Sequence, residues 1–109
     1  MDLSIGISAV MVTHKVTLRP AAADDLEAIA IYTKQQWGVD QARRYLATLR
    51  IDIELLAEFP MRHALYQGSA GQVFRKLSSG HHLVFYTVDE HAVQVARILH
   101  ERMDIRQHL

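Results

Sequence analysis

The sequence predicts an α+β fold with the element order β-α-α-β-β-β, in which an antiparallel sheet packs against a two-helix hairpin. Two stretches in the first half of the chain place apolar residues at helical spacing. Three apolar stretches in the second half are typical of strands, and the segments between them are short enough for hairpin turns. A length of 109 residues, half of them hydrophobic and 22% charged, suits one globular domain.

A short strand and the first helix begin the patterned part of the chain. Val16 and Leu18 alternate with polar residues before Pro20. Proline is favoured in the first turn of a helix, because the N–H that it lacks would have no partner there. Apolar residues then recur at helical spacing, and Gly38 is a typical C-terminal stop. The first helix is therefore predicted over residues 20–36.

The second helix is predicted to begin at Asp40, whose carboxylate can cap it, and to keep one apolar face until Pro60. Neither helix can bury its apolar stripe alone, so the two are expected to pack antiparallel. Trp37 and Tyr45 flank the tight end of this hairpin, where large aromatic side chains are predicted to pack in the core.

A loop and three strands complete the predicted fold. Residues 61–71 contain two glycines and a serine, which predict a loop. The strands are predicted over residues 72–77, 81–88 and 92–99. Regular alternation along the last strand would place Val95, Arg97 and Leu99 on one face of the sheet.

Residues 1–12 are expected to form a flexible N-terminal extension, and residues 13–109 the single domain. The patterned sequence begins right after Met11, which is therefore a candidate natural start. Asp2 stands where a secretory signal needs a cation, and the apolar run is too short to span a membrane. The lack of cysteine excludes disulfides and fits a reducing compartment. We expect a cytoplasmic protein without membrane contact.

Charge is balanced overall but unevenly spread. Formal net charge is zero, with an acidic excess over residues 20–60 and a basic excess over residues 61–109. Proteins that bind nucleic acid mainly through phosphates usually carry a strong basic excess, so direct sequence-specific nucleic-acid binding is not expected.

The histidines lack a metal-ligand spacing, and neighbours such as His81 and His82 point to opposite faces of a strand. No metal and no cofactor are expected.

The chain ends with VARILHERMDIRQHL, which changes from an apolar strand to a dense cluster of charged side chains and imidazoles. The cluster contains Arg97, His100, Glu101, Arg102, Asp104, Arg106 and His108. Three interpretations are open: a solvated tail, a docking surface for another protein, or an RNA-cleaving site. If the cluster docks a target, deletion of residues 100–109 should abolish activity and leave a core that still folds.

Four stretches of the chain resemble the ParE branch of the ParE/RelE toxins, the toxin halves of type II toxin–antitoxin modules. They are YTKQQWGVDQARRYL, LLAEFP, FRKLSSGHHLVFYTV and VARILHERMDIRQHL. The similarity runs from about Val16 to Leu109, and R-I-L-H-x-x-M-D, from Arg97 to Asp104, is its most specific piece. The resemblance implies the same fold, a hetero-oligomer with a ParD-like antitoxin, and growth arrest by poisoning of DNA gyrase, as in plasmid stabilisation.

The RelE branch implies another activity, cleavage of messenger RNA in the ribosomal A site, which needs cations and a general acid or base near the 2′-hydroxyl. By this resemblance, the candidate catalytic residues are Arg75, His82, Arg102 and His108. Arg102 and Arg75 fall at or near RelE cations, and His108 at about the position of a catalytic tyrosine. Val73 and His82, however, stand where RelE has a lysine and an arginine. The lost cations favour a protein inhibitor over an enzyme.

Candidate contacts with the target or the antitoxin lie on two strands and in the terminal segment: Phe74, Arg75, Lys76, Arg97, His100, Arg102 and Met103. Phe74 to Lys76 alternate apolar and cationic groups on a strand near a sheet edge, where a partner segment can add by main-chain pairing. Arg97 interrupts an apolar strand, and arginine is enriched at interface hot spots. Besides a gyrase poison and a ribosome-dependent nuclease, a third possible function is that of a non-toxic interaction module.

Overall fold

The computed structural model describes residues 14–109, so the predicted extension over residues 1–12 and the candidate start at Met11 lie outside the described residues. The strands are β1 Lys15–Leu18, β2 Ala64–Gln67, β3 Val73–Ser79, β4 His82–Val88 and β5 Ala92–His100. The helices are α1 Pro20–Trp37 and α2 Val39–Glu54, with short 3-10 turns at Leu55–Ala57 and Ile105–Gln107. The predicted α+β class, with two helices followed by a strand meander, is confirmed.

The sheet has the strand order β1-β5-β4-β3-β2. Strands β3 to β5 pair antiparallel as predicted, and a further strand, β2, pairs antiparallel with β3. Strand β1 runs parallel to β5, so the sheet is mixed rather than wholly antiparallel. The alternation of apolar and polar residues in β1 indicates a strand. It does not indicate which strand pairs with β1 or whether the pairing is parallel or antiparallel. Its partner is set at long range, since β1 covers the outer edge of β5 with Val16 opposite Val93.

Strand β2 was not predicted, because the glycines around it indicated a loop over residues 61–71. It pairs with β3 from Ala64 opposite Lys76 to Gln67 opposite Val73. The ring of Tyr66 also packs edge-on against Phe85, with centroids 5.2 Å apart. The outer edge of β3 along Phe74 to Lys76, a candidate site for an added partner strand, is therefore occupied by the chain's own β2.

The helical hairpin is tighter than predicted. Only Gly38 separates the two helices, with a φ of +87° that favours glycine, and Gly38 rather than Asp40 occupies the N-cap of α2. The α-helix ends at Glu54 and gives way to a 3-10 turn before Pro60. The prediction of a buried Trp37 is wrong. Trp37 is 67% exposed, because the buried part of α1 ends one turn before it.

Apolar side chains form one core on each face of the sheet. The core under the helices includes Leu49, Leu56, Val84, Tyr86, Val93 and Val95. The core on the opposite face consists of Phe74, Phe85, Ala96 and Leu99, and it is covered by Tyr66, Leu83, Ile105 and Leu109. The segment after β5 is thus part of the second core. Deletion of residues 100–109 would expose that core, so point substitutions test the segment better.

A β-bulge in β5 changes which residues face each core. Phe85 pairs with Arg97 and Tyr86 pairs with Val95, which leaves Ala96 as an extra residue. The predicted shared face of Val95 and Leu99 is therefore wrong. Val95 contributes to the core under the helices, and Leu99 to the core on the opposite face.

Candidate functional site

An apolar groove runs between β1 and the two helices, with a volume of about 500 Å³. We call it the helix groove. Its apolar lining comes from Val16, Leu18, Ala23, Leu26, Ala30, Leu46 and Ile53. Glu27, Arg50 and Glu54 place charges among these residues. An amphipathic helix from a partner is the kind of ligand that such a groove takes, since apolar anchors enter the groove and polar residues meet the charges.

A second groove, which we call the arginine groove, lies beside the core on the opposite face and has a volume of about 630 Å³. It is lined by Arg19, Pro20, Ala21, Ser69, Gln72, Phe74, Ala96, Arg97, Arg106, Gln107, His108 and Leu109. The terminal segment is fixed against this groove, since the Ser69 main-chain N–H donates to the Leu109 carbonyl oxygen at 2.7 Å. Two members of the terminal cluster, Arg106 and His108, are thereby placed beside Arg97.

Arg97 is a structural anchor as well as a groove residue. Its Nε and Nη2 donate to the two carboxylate oxygens of Asp25 in α1, at 2.7 and 2.9 Å. The same carboxylate accepts the main-chain N–H of Ile98 at 2.9 Å, directly after the bulge. Both side chains are largely buried, 24% and 14% exposed. The Asp25 hydrogen bond raises the pKa of Arg97, and the pair fixes the start of α1 to the bulged strand.

A cluster of three imidazoles lies where β4 begins and β5 ends. The ring of His100 stacks on that of His81, with centroids 6.2 Å apart, and meets that of His82 edge-on at 5.2 Å. His81 Nδ1 lies 2.9 Å from a carboxylate oxygen of Glu101, and this hydrogen bond lowers the pKa of Glu101. Among residues 14–109, no group of three or more histidine and acidic side chains is arranged to hold a metal ion.

Tyr45 contacts both histidines at the start of β4. The Tyr45 hydroxyl accepts the main-chain N–H of His81 at 2.9 Å and lies 2.6 Å from His82 Nδ1. The hydroxyl can donate its own proton to Nδ1 when the imidazole is neutral with its proton on Nε2. Burial, followed by the nearby His100 and His81, lowers the pKa of His82 to about 4. Gly80 permits this contact, since a Cβ there would lie 2.7 Å from the Tyr45 ring.

The fold should lose stability as the pH falls from 6.5 towards 4. The pKa of His82 is lower in the folded chain than its ordinary value of 6.5, so the unfolded chain binds this proton more tightly. We expect the melting temperature of the wild type to decrease across this window. The melting temperature of His82→Asn, which keeps an acceptor for Tyr45, should decrease less over the same pH range. His108→Asn is the matched control. Equal pH dependence in His82→Asn and wild type would contradict this assignment.

Three of the four candidate catalytic residues lie at separate places. His82 is on the helix side, bonded to Tyr45, whereas His108 lines the arginine groove on the opposite face. Arg75 donates to the His63 carbonyl oxygen at 2.7 Å. In the sheet it pairs with the β4 residue four positions after His82, and four strand residues correspond to a distance of about 13 Å. Arg102 is exposed after β5, and its main-chain N–H donates to His100, the β5 residue opposite His82. His82, Arg75 and His108 therefore do not converge on one site.

The remaining candidate contact residues differ in accessibility. Phe74 is 5% exposed and belongs to the second core, so it can form at most the floor of a contact surface. Lys76 is partly exposed on β3. His100 is partly exposed, and its Nδ1 accepts the main-chain N–H of Arg102 at 3.1 Å. Met103 is 48% exposed in the turn after β5.

Comparison with known proteins places these features in a wider group. A family model described as the ParE toxin of the type II toxin–antitoxin system parDE matches residues 16–105. Toxin ParE1 of Caulobacter vibrioides is 42% identical over 89 residues, which cover 81% of this chain and 90% of that protein. Toxin ParE1 of Mycobacterium tuberculosis is 40% identical over 99 residues, which cover 89% of this chain and 99% of that protein.

A solved structure, described as the chromosomal ParDE TA system from P. aeruginosa, has a similar fold. The TM-score is 0.65 and the sequence identity 19%, and the match covers 80% of this chain and 95% of that chain. At this identity the likeness supports the fold alone. Neither α1 nor α2, the helices of the described part of the chain, is long and apolar enough to cross a membrane.

Proposed function

We propose that this chain, which belongs to the ParE toxin family of type II toxin–antitoxin systems, arrests growth by binding DNA gyrase and stalling it on cleaved DNA. The toxin acts in the cytoplasm as a protein inhibitor, without catalysis of its own. A ParD-like antitoxin neutralises it by forming a hetero-oligomer. The toxin inhibits by binding to the surface of gyrase, so the free energy of inhibition comes from the contacts in this complex and not from a reacting group.

The observation that carries this proposal is the separation of the candidate nuclease residues. Acid–base cleavage of RNA needs a base and an acid close to one phosphodiester, with pKa values near the working pH. His82, with a pKa of about 4, is a weak base and is already bonded to Tyr45. His108 and Arg75 lie elsewhere on the fold. A binding mechanism needs no such convergence, and it also suits a net charge of zero.

The helix groove supports the antitoxin part of the proposal. Its apolar lining from Leu26, Leu46 and Ile53 fits the apolar face of an amphipathic helix, and Arg50 and the two glutamates can orient that helix by charge. The linings of the two grooves share none of the described residues, so a helix seated in the helix groove does not itself fill the arginine groove. We therefore assign the helix groove to the antitoxin.

Gel filtration tests the proposed target. Purified chain mixed with gyrase should co-elute with it, and chain already saturated with antitoxin should not. A chain that never co-elutes with gyrase, and that cleaves messenger RNA on programmed ribosomes, would contradict the proposal. In that case single alanine substitutions at Arg102 or His108 should reduce the cleavage rate by orders of magnitude, whereas a docking surface shares its losses among several residues.

A further inference from the structure

We propose that the arginine groove is a second protein-binding site, separate from the helix groove, and that it takes an acidic segment with an apolar side chain between its carboxylates. The proposal concerns the chemistry of the groove and does not depend on gyrase being the target. It rests on three observations: uncompensated positive charge on the walls, an apolar floor, and a rim of polar groups.

The walls carry positive charge that no acidic side chain of the lining neutralises. None of the described residues that line the groove is Asp or Glu. Among the described residues, the Arg19 side chain bonds to a neutral group, from Nε and Nη2 to the Gln94 amide oxygen at 3.3 and 3.1 Å. Arg106 has no salt-bridge partner within residues 14–109. Arg97 is neutralised by Asp25 and is held in place by it. Two guanidinium groups are therefore available for carboxylates.

The start of α1 adds to this field. Pro20 and Ala21 line the groove, and they form the first turn of an 18-residue helix whose first turn contains no acid. The partial positive charge at a helix N-terminus favours anions nearby. The start of α1 therefore strengthens the attraction that the arginines exert on an anionic ligand, although the arginines alone define the site.

The floor distinguishes a peptide from a nucleic acid. Phe74 and Ala96 from the second core form an apolar base between the cationic walls. Phe74 is 5% exposed, so its ring offers no open face on which a nucleobase could stack, whereas a peptide can place an aliphatic side chain on this floor between two acidic ones. Ser69, Gln72 and Gln107 line the same groove and can bond to peptide main-chain groups. The zero net charge of the chain also disfavours phosphate-driven binding.

The test uses a fluorescein-labelled decapeptide of alternating glutamate and leucine, with fluorescence anisotropy as the readout. We expect saturable binding to the wild-type chain and at least tenfold weaker binding to Arg19→Glu/Arg106→Glu. The matched control is Arg43→Glu/Arg44→Glu, which reverses the same number of charges on exposed positions of α2 and should leave the affinity unchanged. An alternating glutamate–serine peptide should bind more weakly, because it leaves the apolar floor uncovered.

Amide chemical shifts of the wild-type chain give a readout that needs no variant. On addition of the peptide, the resonances of Ser69, Gln72 and Gln107 should move more than those of α2. The proposal is overturned if the peptide does not bind, if both charge reversals weaken it equally, if the shifts spread over α2, or if a ten-nucleotide oligo-dT binds better than the peptide.

Discussion

Replacement of Asp25 by alanine should lower the free energy of unfolding by about 3 kcal/mol, because it leaves a largely buried guanidinium without its partner. It also removes the acceptor of the Ile98 N–H, which lies directly after the bulge in β5. Chemical denaturation of the variant, compared with the wild type, measures the loss.

Asp24→Ala is the matched control for this change. It removes the neighbouring carboxylate, which is exposed, and should alter the free energy of unfolding by less than about 0.5 kcal/mol. Asp25→Ala/Arg97→Ala should recover part of the loss, since the unpaired charge is gone. Equal effects of the Asp24 and Asp25 variants would show that the ion pair does not stabilise the fold.

Ala23→Arg should weaken antitoxin binding by about 100-fold, or about 2.7 kcal/mol, if the antitoxin occupies the helix groove. Ala23 is an exposed residue of α1 that lines this groove, so a long cationic side chain there fills the space without disturbing a core. Isothermal titration calorimetry with the purified antitoxin measures the change. In cells, the variant should remain toxic when the antitoxin is co-expressed.

Ala28→Arg adds the same side chain on the same helix, at an exposed position that does not line the groove. Its antitoxin affinity should stay within twofold of the wild type. If both variants bind the antitoxin as tightly as the wild type does, the antitoxin docks elsewhere, and the assignment of the helix groove is wrong.

The local elements of this fold follow from sequence periodicity, but the contacts that shape its sites do not. Helical spacing predicts α1 and α2, and apolar runs predict β3 to β5. Asp25, by contrast, looks like an ordinary acid near a helix N-terminus, and its bond to Arg97 joins residues 72 positions apart. No local pattern carries that pairing.

The same limit explains the other differences between sequence and structure. The bulge at Ala96 moves one residue out of register and so changes the faces predicted by simple alternation. The Tyr45–His82 bond and the stacking of His81 on His100 depend on how α2 and β5 meet the β3–β4 turn. Adjacent His81 and His82, expected on opposite faces, both lie against His100, because His81 precedes β4 and is not part of it.

A supercoiling reaction tests the central claim most directly. Gyrase, relaxed plasmid and ATP are incubated with the purified chain, with and without excess antitoxin, and the products are separated after denaturation of the enzyme. The proposed mechanism predicts loss of supercoiling, accumulation of linear plasmid trapped in the cleaved complex, and reversal of both effects by the antitoxin. Normal supercoiling at a large excess of a chain that still arrests growth would contradict it.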